Sequence, residues 1–188
     1  MEMKVNAALL GALLLAWAHV TASDPVAALD PRAPATAELT RMEDAYARRR
    51  ADSGLARDLA ERYLALGRAD LAVNALSAAA PGVRRDPAVL HQLARAYEID
   101  GRVPDALATA RLARARCARA LGTADAPTHT QVPEHRCAEG TLVTLRTHES
   151  ALRTMARWGI QDPTRDPRAE RAYGMAIRSA RLVQAATD

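Results

Sequence analysis

A pattern of small, aromatic and glycine residues in the first half of the chain returns once, at a fixed offset of 34 residues (97 − 63). The pattern reads L-A-x-x-Y-x-x-x-G-R-x-x-x-A and is followed by a further alanine. The paired positions are Leu59 and Leu93, Ala60 and Ala94, Tyr63 and Tyr97, Gly67 and Gly101, Arg68 and Arg102, Ala72 and Ala106, and Ala79 and Ala113. A period of this length is typical of a structural unit that repeats along the chain and stacks on its neighbours.

This pattern resembles the tetratricopeptide repeat, a helix–turn–helix unit of the same length. The resemblance covers two repeats, at about residues 54–86 and 87–120. It implies a helical solenoid with small residues where the two helices of a unit cross, tyrosines beside each crossing, and glycines at the end of each first helix. The positions that carry these structural roles are Ala60, Tyr63, Gly67, Ala72, Ala94, Tyr97, Gly101 and Ala106.

Further helices are expected on either side, because two such repeats seldom bury enough surface to fold alone. Thr36 is predicted to cap a helix before the first repeat, and Asp86 is predicted to cap the first helix of the second repeat. Residues 134–187 show helical apolar spacing without the repeat period, so they are predicted to form a degenerate hairpin whose last helix is capped by Asp166. The predicted fold class is an all-α, tetratricopeptide-like solenoid of about seven helices, in one domain over residues 36–188.

The first residues have the features of an export signal. Residues 5–18 are almost wholly apolar but too few to span a bilayer well, and residues 20–22 are small where a signal peptidase cleaves. We therefore expect a signal peptide at residues 1–22 and a proline-containing linker at 23–35. An uncleaved anchor is the alternative, since Lys4 gives this segment little positive charge.

Composition favours an exported bacterial protein that does not bind nucleic acid. Lys4 is the only lysine, so the other basic side chains apart from histidine are arginine, a bias typical of a GC-rich genome. A net charge of +4 would by itself point to nucleic acid. However, the chain has no phenylalanine, no interleaved aromatics for base stacking and no nucleic-acid-binding motif. We expect a periplasmic protein with at most peripheral membrane contact.

Cys117 and Cys137 are the only cysteines, and an even pair in an exported protein favours a disulfide. The bridge would join the second repeat to the C-terminal hairpin. A metal or haem site is the alternative, because His129 and His135 lie between the cysteines and all four are zinc-type ligands. Their spacing matches no standard module and there is no C-x-x-C-H motif, so no metal and no cofactor are predicted.

No catalytic motif is found in the sequence. There is no G-x-S-x-G, no H-E-x-x-H and no phosphate-cradling glycine loop. His148 and Glu149 are adjacent, but neighbouring side chains of a helix point apart. His148 shares a helical face with Leu145 and Leu152, so we expect a buried histidine that is hydrogen-bonded to a neighbour. The chain is therefore predicted not to be an enzyme.

The resemblance implies a function in protein binding, since members of the family bind peptides or protein segments in a groove lined by the first helix of each unit. By position, the groove residues are Arg57, Glu61, Leu64, His91, Gln92, Arg95 and Glu98. Their alternating charges fit a peptide that bears both signs. A second, basic face with Arg111, Arg114 and Arg119 is either solvated or attracted to an acidic partner or anionic lipid. The expected function is a protein-interaction adaptor or scaffold of the cell envelope.

Overall fold

The computed structural model describes residues 34–122 and 137–185, and all of the regular structure in these stretches is helical. The seven α-helices of these two stretches are α1 Pro34–Arg48, α2 Ser53–Ala65, α3 Ala69–Ser77, α4 Pro87–Ile99, α5 Val103–Gly122, α6 Glu139–Arg157 and α7 Arg168–Ala185. A short 3-10 turn, Val83–Arg85, precedes α4. The predicted all-α class is confirmed.

The chain divides into two compact units, Met1–Thr40 and Arg41–Asp188. Of the first unit the structure describes only the beginning of α1, and the predicted signal peptide and residues 23–33 of the linker lie outside the described residues. Helix α1 begins at Pro34 rather than at Thr36, because proline fits the first turn of a helix, where a backbone N–H has no intrahelical partner. No helix in the described stretches is both long and apolar enough to cross a bilayer.

Aspartate side chains fix the start of three helices in the second unit. Asp52 accepts a hydrogen bond from the backbone N–H three residues further on, at 3.1 Å, at the start of α2. Asp86 and Asp166 accept from the N–H two residues further on, at 2.8 and 2.9 Å, at the starts of α4 and α7. Each bond satisfies a backbone donor that the helix itself leaves free. The predicted caps at Asp86 and Asp166 are confirmed.

Glycines with positive φ end α2, α4 and α6. The φ angles are 70° at Gly67, 75° at Gly101 and 67° at Gly159. In each case the glycine N–H donates to the carbonyl three residues back, and the next N–H donates to the carbonyl five residues back, at 2.8–3.2 Å. This arrangement satisfies the last carbonyls of a helix and needs a residue without a Cβ. It was predicted at Gly67 and Gly101, and the end at Gly159 is additional.

Helix α6 carries a version of the repeat pattern that a fixed offset does not find. Ala151, Leu152 and Met155 lie eight, seven and four residues before Gly159, as the Leu-Ala-x-x-Tyr residues do before Gly101. All three are fully buried. The distance between the two glycines is 58 residues (159 − 101) instead of 34, since a longer segment separates α5 from α6. The first helix of the C-terminal pair is thus more similar to the repeats than the sequence pattern predicted.

The core of the second unit is built where successive helices cross at alanines. Each helix from α2 to α7 packs against the next one, and α2 also packs against α4. The four alanines predicted at the crossings are fully buried, namely Ala60, Ala72, Ala94 and Ala106. A continuous apolar cluster then joins α4, α5, α6 and α7, with Leu152 and Met155 as its largest fully buried side chains on α6. Small residues allow the close helix approach that these crossings need.

The predicted disulfide is present. It joins α5 to Cys137, which lies two residues before the start of α6. Cys117 and Cys137 are bonded, with their Cα atoms 5.2 Å apart. Cys117 is fully buried, and Leu90, Leu142 and Leu145 form an apolar cluster around it. The bridge therefore ties the second predicted repeat to the C-terminal helices within a second apolar core.

Candidate functional site

The residues assigned to the groove differ widely in exposure. Arg57, Glu61 and Arg95 are exposed, Leu64, Gln92 and His91 are partly covered, and Glu98 is buried. Arg95 donates a hydrogen bond to Gln92 at 3.2 Å. Because α2 packs directly against α4, Arg57 and Glu61 lie on a helix that neighbours Arg95 and Gln92. We call these four residues the polar row.

Glu98 is the centre of a buried polar network that joins α4, α6 and α7. Its side-chain oxygens accept hydrogen bonds from the hydroxyl of Tyr173, each at 2.8 Å. The Nε2 atom of His148 lies 3.0 Å from the same carboxylate. An ionised carboxylate only accepts hydrogen bonds, so the Nε2 atom is the donor in this contact. Glu98 is 8% exposed and His148 is 4% exposed, so this Glu98 network is shielded from solvent.

The burial of Glu98 corrects the prediction that it lines an open groove. The residue lies on the first helix of the second predicted repeat, as expected, but α6 and α7 cover it through His148 and Tyr173. The resemblance ends before these two helices, so it carries no information about what covers α4. The expectation for His148 is confirmed, since it is buried and hydrogen-bonded to a neighbouring side chain.

His91 packs against the Glu98 network on the same helix. Its ring meets the ring of His148 edge-on, with the centroids 5.1 Å apart, and His148 stacks on Tyr173 at 6.2 Å. Burial lowers the pKa of His91 to about 4, and the nearby His148 and Arg95 act in the same direction while Glu98 opposes them. His91 is thus neutral near neutral pH and serves packing rather than an open binding surface.

The depressed pKa of His91 predicts a loss of stability in mild acid. The unfolded chain takes up a proton near the usual pKa of 6.5, whereas the folded chain does so only near 4. The contribution of His91 to the free energy of unfolding is therefore fully present above the unfolded pKa and is lost as the pH falls towards the folded pKa. The expected loss is about 2 kcal/mol from about pH 7 to pH 5. Urea denaturation at both pH values measures the difference.

The matched control for this prediction is His91→Gln. The variant removes the titrating ring, so its free energy of unfolding is expected to change less than that of the wild type over the same pH range. Aspartate and glutamate side chains titrate mainly below this range, at about pH 4. Equal pH dependence in the two proteins would contradict the assignment to His91.

A second ionic cluster is built on Glu149, between α5 and α6. Glu149 is 3% exposed and its carboxylate is ion-paired with Arg114 and Arg153, while the Nε atom of Arg111 lies 3.7 Å away. Burial acts to raise the pKa of Glu149, but the hydrogen bonds from Arg153 and Arg114 outweigh it, and the pKa lies below its usual value. Two arginines of the basic face predicted on α5, Arg111 and Arg114, are therefore paired with a buried carboxylate.

Sequence reasoning did not single out Glu149 as a buried residue. The adjacent His148 contacts α4 and α7, whereas Glu149 pairs with α5, so the two side chains point apart as expected. The available signal was the spacing of Glu149 and Arg153, which suits an ion pair within one helix. That signal does not predict burial, because such pairs are normally exposed.

The alternative metal site has no support from the cysteines. Cys117 and Cys137 are bonded to each other, so neither provides a thiolate ligand. His129 and His135 lie outside the described residues. Within residues 34–122 and 137–185, no group of three or more histidine, cysteine, aspartate or glutamate side chains is arranged to hold a metal ion.

Comparison with known proteins gives no relative for this chain. No protein-family model matches it, and no curated protein and no solved structure matches it significantly. The functional argument therefore depends on the polar row, the Glu98 network and the Glu149 cluster themselves.

Proposed function

We propose that the protein is a tetratricopeptide-like adaptor of the bacterial envelope, which binds a protein segment along α2 and α4. The repeated helix ends support this proposal, since α2, α4 and α6 each end at a glycine with positive φ and each is followed by a helix that packs back on it. The buried alanines at the crossings of the first two pairs are a second support. A stack of such pairs presents its first helices side by side.

The polar row is the observation that carries the binding proposal. The side chains of Arg57 and Glu61 are exposed and make no hydrogen bond or ion pair with any other described residue. Arg95 donates one hydrogen bond to Gln92, and the rest of its guanidinium has no partner in residues 34–122 and 137–185. Charged groups of both signs on adjacent helices fit a peptide of mixed charge, which would form charge-assisted hydrogen bonds with them.

The Glu98 network limits where such a peptide would bind. Helices α6 and α7 cover α4 at Glu98, so the accessible part of the row consists of α2 and the middle of α4. The hydrogen bonds from His148 and Tyr173 to the buried Glu98 would hold α6 and α7 on α4, and so would keep the surface of the polar row fixed. Binding to a fixed surface avoids the entropic cost of ordering it.

Export is the second part of the proposal. The disulfide between Cys117 and Cys137 supports it, because disulfides persist in oxidising compartments such as the periplasm. The signal-like first residues support it independently.

The test is a photo-crosslinking amino acid placed at Glu61 or at Arg95, in the native cell. A matched probe at Asn74, an exposed residue of α3, serves as the control. We expect one protein to be captured through both row positions and not through Asn74. Capture that is the same at all three positions would contradict binding at the row.

The captured protein is then purified and titrated against charge-reversal variants. The double variant Arg57→Glu/Arg95→Glu is expected to weaken binding by about tenfold or more, because two ion pairs become repulsive. The Asn74→Glu variant adds a charge elsewhere and should leave the affinity unchanged. An unchanged affinity in the double variant would show that the polar row is not the binding surface.

A further inference from the structure

A surface pocket of about 330 Å³ lies between α5 and α6, and none of its lining residues belongs to the polar row. Its lining residues are Arg114, Arg146, Glu149, Ser150 and Arg153. Three of these five side chains are arginines, and the one carboxylate among them is already ion-paired. The volume lies in the range typical of small-molecule sites.

Glu149 fixes two of the arginines in place rather than cancelling the charge of the pocket. Arg114 uses its Nε atom and Arg153 one terminal nitrogen on the buried carboxylate, so further N–H donors of both guanidiniums have no partner among the described residues. Arg111 lies beside the same carboxylate. Four guanidiniums against one carboxylate leave a local charge of about +3 (4 − 1).

Arg146 and Ser150 are the uncommitted groups of the pocket. Neither the guanidinium of Arg146 nor the hydroxyl of Ser150 makes a hydrogen bond or ion pair within the part of the chain that the structure describes. Arg146, Ser150 and Arg153 lie on one face of α6, because successive members of this set are four and three residues apart. The pocket thus combines two positioned guanidiniums with a free guanidinium and a free hydroxyl.

We propose that this pocket binds a multiply charged phosphate group, of a soluble phosphate compound or of a lipid headgroup. The fork of a guanidinium matches two oxygens of a phosphate, and several such forks around one small pocket suit a single group with many oxygens. A local charge of about +3 is offset further by a phosphate monoester, with a charge of about −2, or by a diphosphate than by the single negative charge of one protein carboxylate. The donor set and its charge therefore favour phosphate over an acidic peptide.

The first test is a calorimetric titration of the purified full chain with inorganic pyrophosphate. Saturable binding is expected, and Arg146→Ala should weaken it by about tenfold or more, because it removes charge-assisted hydrogen bonds. The variant leaves Glu149 and its ion pairs intact, so loss of folding is not expected. Arg157→Ala, an exposed arginine of the same helix outside the pocket, is the control and should bind like the wild type.

Co-sedimentation with vesicles distinguishes the two sources of phosphate. The probes are vesicles of equimolar phosphatidylcholine and phosphatidic acid, and of phosphatidylcholine alone. Binding to the anionic vesicles that depends on Arg146 identifies a headgroup, whereas binding to pyrophosphate without vesicle binding identifies a soluble compound.

Three outcomes would overturn the proposal. One is the absence of saturable binding to both pyrophosphate and anionic vesicles. The second is an equal loss of affinity in Arg146→Ala and Arg157→Ala, which would reflect general charge. The third is binding to polyglutamate that depends on Arg146 while pyrophosphate does not bind, which would assign the surface to an acidic protein.

Discussion

Replacing Glu98 with alanine is expected to lower the free energy of unfolding by about 3 kcal/mol. The change leaves the hydroxyl of Tyr173 and the Nε2 atom of His148 without their shared acceptor, in a largely buried site. Each buried donor without a partner costs about 1–3 kcal/mol. Part of this loss is offset, because the folded protein no longer buries a carboxylate.

Two further variants separate the network from the general effect of a substitution. Glu98→Gln keeps the size of the side chain, and its amide can accept from His148 and donate to Tyr173, so a loss of only about 1 kcal/mol is expected. Glu61→Ala removes an exposed glutamate of α2 and should change stability by about 0.5 kcal/mol or less. Urea denaturation followed by far-ultraviolet circular dichroism measures all three.

A double-mutant cycle tests whether the hydrogen bonds themselves account for the loss. With Tyr173→Phe as the second change, the effects of the two substitutions should be clearly less than additive, since both remove the same bonds. Additive losses, or an alanine variant as stable as the wild type, would show that the network does not hold α6 and α7 on α4.

Features that depend on neighbouring residues were predictable from the sequence. Glycine is the residue that tolerates positive φ, so Gly67 and Gly101 indicated where α2 and α4 end. Asp86 indicated a helix start for a comparable local reason, because its side chain reaches the first free backbone N–H groups. The disulfide followed from the number of cysteines and the expected compartment.

Features that depend on distant segments were not predictable in the same way. Glu98 is bonded to residues 50 and 75 positions away, and Glu149 to Arg114 at 35 positions. A glutamate on a helix is normally exposed, and only its partners on other helices explain its burial. The helix end at Gly159 was missed for a simpler reason, since the segment between α5 and α6 shifts it away from the 34-residue period.

Removing the disulfide is expected to destabilise the protein by about 3 kcal/mol, which is the chain-entropy estimate for a loop of this length. The two cysteines are 20 residues apart, and the double variant Cys117→Ala/Cys137→Ala frees the unfolded chain from this closed loop. Leu90, Leu142 and Leu145 pack together around Cys117, and we expect this contact to persist when the bond is absent. The loss is therefore expected to arise mainly in the unfolded state.

Denaturant unfolding can distinguish this origin from damage to the core. An unfolded chain without the bridge exposes more surface, so the slope of the free energy against urea should rise in the double variant. Wild type treated with dithiothreitol should show the same loss and the same slope, and the reductant should not affect the variant. A large loss with an unchanged slope would instead mean that the substitutions disturb the packing around Cys117. If neither the variant nor the reduced wild type lost stability, the bridge would not be what ties α5 to α6.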